Sequence, residues 1–223
     1  MFNIYPSGDS AFLLKFGNEI SEDIHLRIRA YLILLSKKRI KGITEVVPSY
    51  CDILVHYNPL IINYPKLISK LKKVYLQTGD LKLPEPKTVR IPVVYGGEYG
   101  PDINEVSKHT GRDMEEIINL HTNNKYLVYM LGFTPGFCYL GGMNTKLATP
   151  RKDKPSEKIA PGSVGIAGSQ TGIYPIESPG GWQIIGRTPL HLFDPSSDNP
   201  FLIEAGNYIE FYPITENEFN SYL

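Results

Sequence analysis

Residues 132–142 read GFTPGFCYLGG, residues 160–175 read APGSVGIAGSQTGIYP, and residues 178–189 read SPGGWQIIGRTP. Eleven of the chain's 20 glycines fall between Gly132 and Gly186. Short runs with strand character stand in and around these segments, at 125–131, 163–167, 172–174, 182–186, 190–193, 201–204 and 208–212. Glycine reaches positive φ and lets backbones approach closely. Many short strands joined by Gly/Pro turns therefore predict a β-barrel or sandwich. No long helices alternate with the runs, which excludes a doubly wound sheet.

Upstream of the glycine-rich region the period changes to that of helices. PDINEVSKHTG offers Asp102 as a cap, Glu105 three residues on and Gly111 as a stop; RDMEEIINLHT repeats the device with Asp113 and Glu116. The first 84 residues read differently again. Phe12, Leu14 and Phe16 alternate as in a strand, and Ile24, Ile28, Tyr31, Leu32 and Leu35 share one helical face after Ser21. Two strands at 43–47 and 52–57 follow, then a helix from Asn63 with Pro65 in its first turn. That order predicts a small α/β sandwich. LKLPEPK at 81–87 reads as a linker. A strand at 89–95 either completes the first sheet or opens the second domain. The expectation is an α+β chain with domains 1–84 and 85–223.

With 23 basic and 23 acidic side chains the formal net charge is zero. No basic stripe appears, which argues against a nucleic-acid partner. Cys51 and Cys138 stand far apart and outside any CxxC pattern, so neither a disulfide framework nor a zinc site is expected. The histidines lack HxxxH or HxH spacing, so no metal site is expected. MFNIYPSGDSAFLLKFG has no positive n-region or long apolar core, and no apolar run approaches a membrane span of about 20 residues. A cytoplasmic protein with no membrane partner is expected. There is no GxxxxGK[ST], no GxGxxG opening a long helix and no GxSxG.

The strings LGFTPGFCYLGG, TPRKDKP, PGSVGIAGSQTGIYPIESPGGWQIIGRTP and LFDP resemble the family of B-type subunits of 5-oxoprolinase, also described as KipI-like or allophanate hydrolase subunit 1-like. The resemblance implies a cyclophilin-like β-barrel after the small α/β domain. It implies C- and A-type partner subunits and ATP-dependent opening of the lactam of 5-oxoproline to glutamate, with ATP and Mg²⁺ serving the complex rather than this chain alone. The isolated chain is expected to be inactive. Two alternatives stay open within the family: a binding module that inhibits a sporulation histidine kinase, and an allophanate or urea-type amidohydrolase or carboxylase subunit. Three departures from the family pattern stand out. Ser156 occupies a position where a second arginine is usual, IAPGSV at 159–164 replaces VPAGSV, and Ala205-Gly206-Asn207 replaces a PGD turn.

Opening a lactam with ATP needs cations or N–H donors around the developing oxyanion and phosphate. Arg187 and Arg151 are the candidate catalytic cations, because arginine clamps carboxylate or phosphate bidentately; the alternative for each is a structural salt bridge or carbonyl cap. His121 is either an acid–base group or a partner of its helix C-terminus. Gln170, Thr171 and Tyr174 offer neutral hydrogen bonds for a substrate. Ser178, Gly180, Gly181 and Trp182 form either a ligand wall or a contact surface for a partner. Phe133, Phe137 and Tyr139 read as barrel packing.

Overall fold

A computed structural model describes residues 2–222. The chain divides into two compact units, Met1–Glu85 and Pro86–Leu223.

In the first unit, β1 (Asn3–Pro6), β2 (Ala11–Lys15), α1 (Glu22–Lys38), β3 (Ile43–Pro48), β4 (Asp52–Tyr57) and α2 (Tyr64–Tyr75) follow in order. The strands form an antiparallel sheet in the order β1-β2-β4-β3. Alternation along β2 and β4 buries Phe12, Leu14, Ile53 and Val55 completely against Ile28, Tyr31 and Leu35 of α1 and Leu67 and Leu71 of α2. Ser21 caps α1 by accepting the Ile24 N–H, and Asn63 caps α2 by accepting the Lys66 N–H. The Tyr31 hydroxyl donates to the Leu71 carbonyl at 3.3 Å and so ties the helices together. α1 ends at Lys38, where Arg39 caps it in a left-handed conformation at φ 41°.

The second unit runs β5 (Thr88–Tyr95), α3 (Ile103–Thr110), α4 (Met114–Thr122), β6 (Lys125–Leu131), β7 (Cys138–Gly141), β8 (Ser156–Ile159), β9 (Ser163–Ala167), β10 (Gln170–Ile173), β11 (Ser178–Gly180), β12 (Gln183–Arg187), β13 (Tyr208–Pro213) and α5 (Glu216–Asn220). Seven strands form a nearly closed, barrel-like sheet in the order β10-β9-β12-β5-β13-β6-β7. β13 and β5 pair in parallel and every other neighbour is antiparallel. The two end strands come together where Gly172 of β10 sits against the Cys138 carbonyl of β7. β5 is thus central to the second unit. β8 and β11 form a separate two-stranded ribbon. Ile91, Val93, Val128, Val164, Ile166, Ile173, Ile185 and Ile209 fill the barrel with no exposed surface; β-branched residues suit such two-sided burial.

Two expected strands are absent. Residues 190–193 and 201–204 meet only at one bridge, Phe193 with Phe201, whose rings stack at 5.3 Å. Pro189, Pro195 and Pro200 bracket them, remove N–H donors and restrict the preceding residues. Leu192 and Ile203 are nonetheless buried and anchor this loop in the core. Among the described residues, no helix is long and apolar enough to cross a membrane.

Candidate functional site

The centre of the site is an ion pair that reading the sequence as helix caps does not find. Asp102 precedes α3 but makes no side-chain cap bond. Its Oδ2 instead accepts the Ile184 N–H of β12 at 2.8 Å and an N–H of Lys152 Nζ at 2.6 Å. Lys152 Nζ also donates to Ser156 Oγ at 3.2 Å, so Ser156 joins the same network. The two charged side chains are only 15% and 21% exposed. A pair this sheltered holds its geometry because separating the partners leaves a charge poorly solvated.

Around this pair lies a polar cleft of about 150 Å³, whose lining also includes Glu98, Lys158, Ser163 and Arg187. Arg187 closes β12 and donates through Nε to the Pro161 carbonyl at 2.9 Å, which uses one of its five N–H groups. The loop that presents this carbonyl depends on Gly162. Its φ is +81°, and a Cβ there would overlap the Thr188 carbonyl oxygen. Lys158 pairs with Glu177 at 3.3 Å in an exposed position, where ion pairs contribute little. Lysine and arginine converging on one small cleft suit a carboxylate, a phosphoryl group or a developing oxyanion.

Next to the cleft stands an aromatic wall. Phe137 makes edge-to-face contacts with Trp182 and Tyr174, each at 5.5 Å, and with Tyr139 at 5.1 Å. Ile159 and Ile184 line the cleft and also pack in this cluster, so the two share residues. A Cβ at Gly180 would press on the Tyr174 hydroxyl and on Ile159. Burial pushes the Tyr174 hydroxyl up to about 12, and the Trp182 backbone N–H and Arg151 pull the other way. The Lys152 N–H donates to the Gly181 carbonyl at 2.7 Å, which runs the Arg151–Lys152 stretch alongside Gly180–Gly181. Arg151 itself is exposed. Phe133 departs from barrel packing. It is 67% exposed at φ +67°, with its ring against Phe137.

The remaining candidates lie apart from the cleft lining. His121 is fully buried. Its Nδ1 lies 2.8 Å from the Tyr95 hydroxyl and its Nε2 2.9 Å from Thr171 Oγ1. Thr171 Oγ1 donates to the Gly165 carbonyl, so it accepts from Nε2–H and Tyr95 donates to Nδ1. Burial pulls the His121 pKa down to about 3, and the ring is neutral near neutral pH. The structure therefore places His121 and Thr171 in a closed core network with no open nitrogen to offer a substrate. Gln170 is half-buried at the start of β10. Ser178 is buried, and its Oγ finds no hydrogen-bond partner among the described residues. No trio of His, Cys, Asp or Glu placed to hold a metal occurs among the described residues.

Residues 2–203 match the family described as carboxyltransferase domain, subdomain C and D. The B-type 5-oxoprolinase subunit of Bacillus subtilis is 41% identical over 99% of this chain and 96% of its own length. That of Escherichia coli O157:H7 is 38% identical over 95% and 96% respectively. The crystal structure of TTHA0988 aligns with a TM-score of 0.81 at 35% identity over 92% of this chain, which spans 40% of that longer chain. The chain belongs to the carboxyltransferase C/D-subdomain family and, within it, to the B-type subunits of 5-oxoprolinase.

Proposed function

We propose that this chain acts in the cytoplasm as the B component of a complex that opens 5-oxo-L-proline to L-glutamate at the expense of ATP, together with A- and C-type partners. The observation that carries this reading is the near full-length identity to proteins of that name, 37–41% across three bacteria. The cleft adds chemistry that fits. ATP-driven opening transfers the γ-phosphoryl group to the lactam oxygen and releases ADP; one water adds to the activated carbon and the C–N bond breaks to give the amine and an acyl phosphate, which a second water hydrolyses to carboxylate and phosphate. Each stage concentrates negative charge on oxygen, and fixed cations in a sheltered site favour those stages over the neutral lactam. Arg187 supplies such a cation here, beside Lys152 in its pair with Asp102. Arg151, Tyr174, Gly180, Gly181 and Trp182 form the wall beside them. His121 and Thr171 serve this site from the core, as struts rather than as reacting groups.

No nucleotide site is assigned to this chain alone. No phosphate-binding loop occurs in the sequence, and the described carboxylates do not gather for a metal. ATP and Mg²⁺ are accordingly assigned to the assembled complex, and the isolated chain is expected to be inactive. Glutamate formation from 5-oxoproline by the pure chain would contradict that assignment. In the assembled complex, Arg187→Ala is expected to lower activity at least about a hundredfold while leaving the fold intact, the scale of losing one oxyanion donor. Unchanged turnover would return Arg187 to a carbonyl-holding role.

A further inference from the structure

The first unit carries a groove that the enzymatic reading does not use. Leu32, Leu35 and Ser36 stand at i, i+3 and i+4 on α1 and, with its cap residue Arg39, form one wall. Ile43, Val46 and Pro48 of the edge strand β3 form the other. The groove holds about 630 Å³ and no acidic residue lines it. A smaller, cationic cleft of about 220 Å³ adjoins it at Ile40 and is lined by Lys38, Lys70 and Lys73. Lys37, Lys38, Arg39, Lys41, Lys70 and Lys73 make no ion pair among the described residues. The charge is also segregated along the chain. Residues 1–85 hold 12 basic and 8 acidic side chains, whereas residues 86–223 hold 11 and 15.

An apolar trough flanked by unpaired cations selects a ligand with an apolar face and carboxylates beside it. Strand addition at β3 is disfavoured, because Pro48 lacks an N–H and β3 carries a register irregularity between Ile43 and Glu45 in its pairing with β4. The α1 wall instead has the spacing that packs against another helix, and helix-in-groove recognition reads anchors at that spacing. We propose that this groove docks an acidic amphipathic helix of a partner protein, its apolar face in the trough and its carboxylates on Lys38, Arg39 and Lys41. This inference stands on the first unit alone and holds whether or not the second unit takes 5-oxoproline.

The test titrates the isotope-labelled full chain, followed by two-dimensional NMR, with a synthetic helical peptide bearing leucines on one face and glutamates flanking them. The same peptide with lysines for glutamates is the control. Saturable shifts confined to residues 32–48 and 70–77 are expected with the acidic peptide only. A Lys38→Glu/Lys41→Glu variant is expected to weaken binding about tenfold or more and Leu32→Arg to abolish it, with folding checked from the undisturbed remainder of the spectrum. No binding, equal binding of both peptides, or unchanged affinity in both variants would overturn the proposal. Shifts with laurate but with neither peptide would also overturn it, in favour of a small amphipathic anion.

Discussion

His121 shows how a single residue changes meaning once its neighbours are known. From the sequence it is a histidine at a helix end, with acid–base chemistry open to it. In the fold it is a neutral strut joining Tyr95 of β5 to Thr171 of β10. Its folded pKa of about 3 lies below the ordinary 6.5, so the unfolded chain takes up the proton first as pH falls. The stabilisation is fully present above pH 6.5 and is lost progressively toward pH 3, about 2 kcal/mol of it by pH 5. Urea unfolding followed by the fluorescence of Trp182, the sole tryptophan and a reporter for the second unit, is expected to show that loss. His121→Gln is expected to be weaker at pH 7 by about 1–3 kcal/mol yet to depend less on pH. An equally steep pH profile in the variant would contradict this account. Lys152 makes the converse case, because only the fold brings it to Asp102, 50 positions away. Lys152→Met strands the Asp102 carboxylate and is expected to cost about 1–3 kcal/mol, discounted for partial exposure. A loss no larger than that of Lys158→Met, whose ion pair is exposed, would show that the sheltered pair contributes nothing special.

Elements were legible wherever local periodicity decided them. α1, α2, α3 and α4 stand close to the expected positions, because apolar faces and stop residues are written in neighbouring residues, although Asp102, read as the cap of α3, caps nothing. β6, β9, β12 and β13 were equally readable as short β-branched or aromatic runs between turns. The ribbon strands β8 and β11 were not, since SEKI and SPG carry little strand character and pair only through tertiary placement. The reverse error at 190–193 and 201–204 comes from reading buried anchors as strands where prolines break the ladder. The glycines separate local from tertiary demands most clearly. Gly162 and Gly168 both have positive φ, but only Gly162 faces a carbonyl oxygen; Gly168 faces open space. Gly168→Ala is expected to cost about 1 kcal/mol of backbone strain, and Gly162→Ala about 2–3 kcal/mol with overlap added. Equal losses in urea unfolding would mean that the 160–162 loop yields, and with it the carbonyl that holds Arg187.

At the scale of the whole molecule, two units with opposite net charge are joined at residues 81–87, a stretch without regular structure. Limited tryptic digestion is expected to cut first at Lys82 and leave two fragments, one for each unit; a first cut inside either unit would contradict the division. The site was legible only in outline. The glycine-rich strings pointed to the second unit and to Arg187, which lines the cleft, while the Asp102–Lys152 ion pair at its centre emerged from contacts between distant segments. The same holds for the basic, apolar groove of the first unit, which no motif announces. The most direct test of the central claim is glutamate formation from 5-oxoproline and ATP by this chain purified with its A- and C-type partners, omitting one component at a time. Turnover by the full set, lost when this chain is withheld and restored when it is returned, is the expected result. An intact three-part complex that forms no glutamate, or one that works equally well without this chain, would contradict the account.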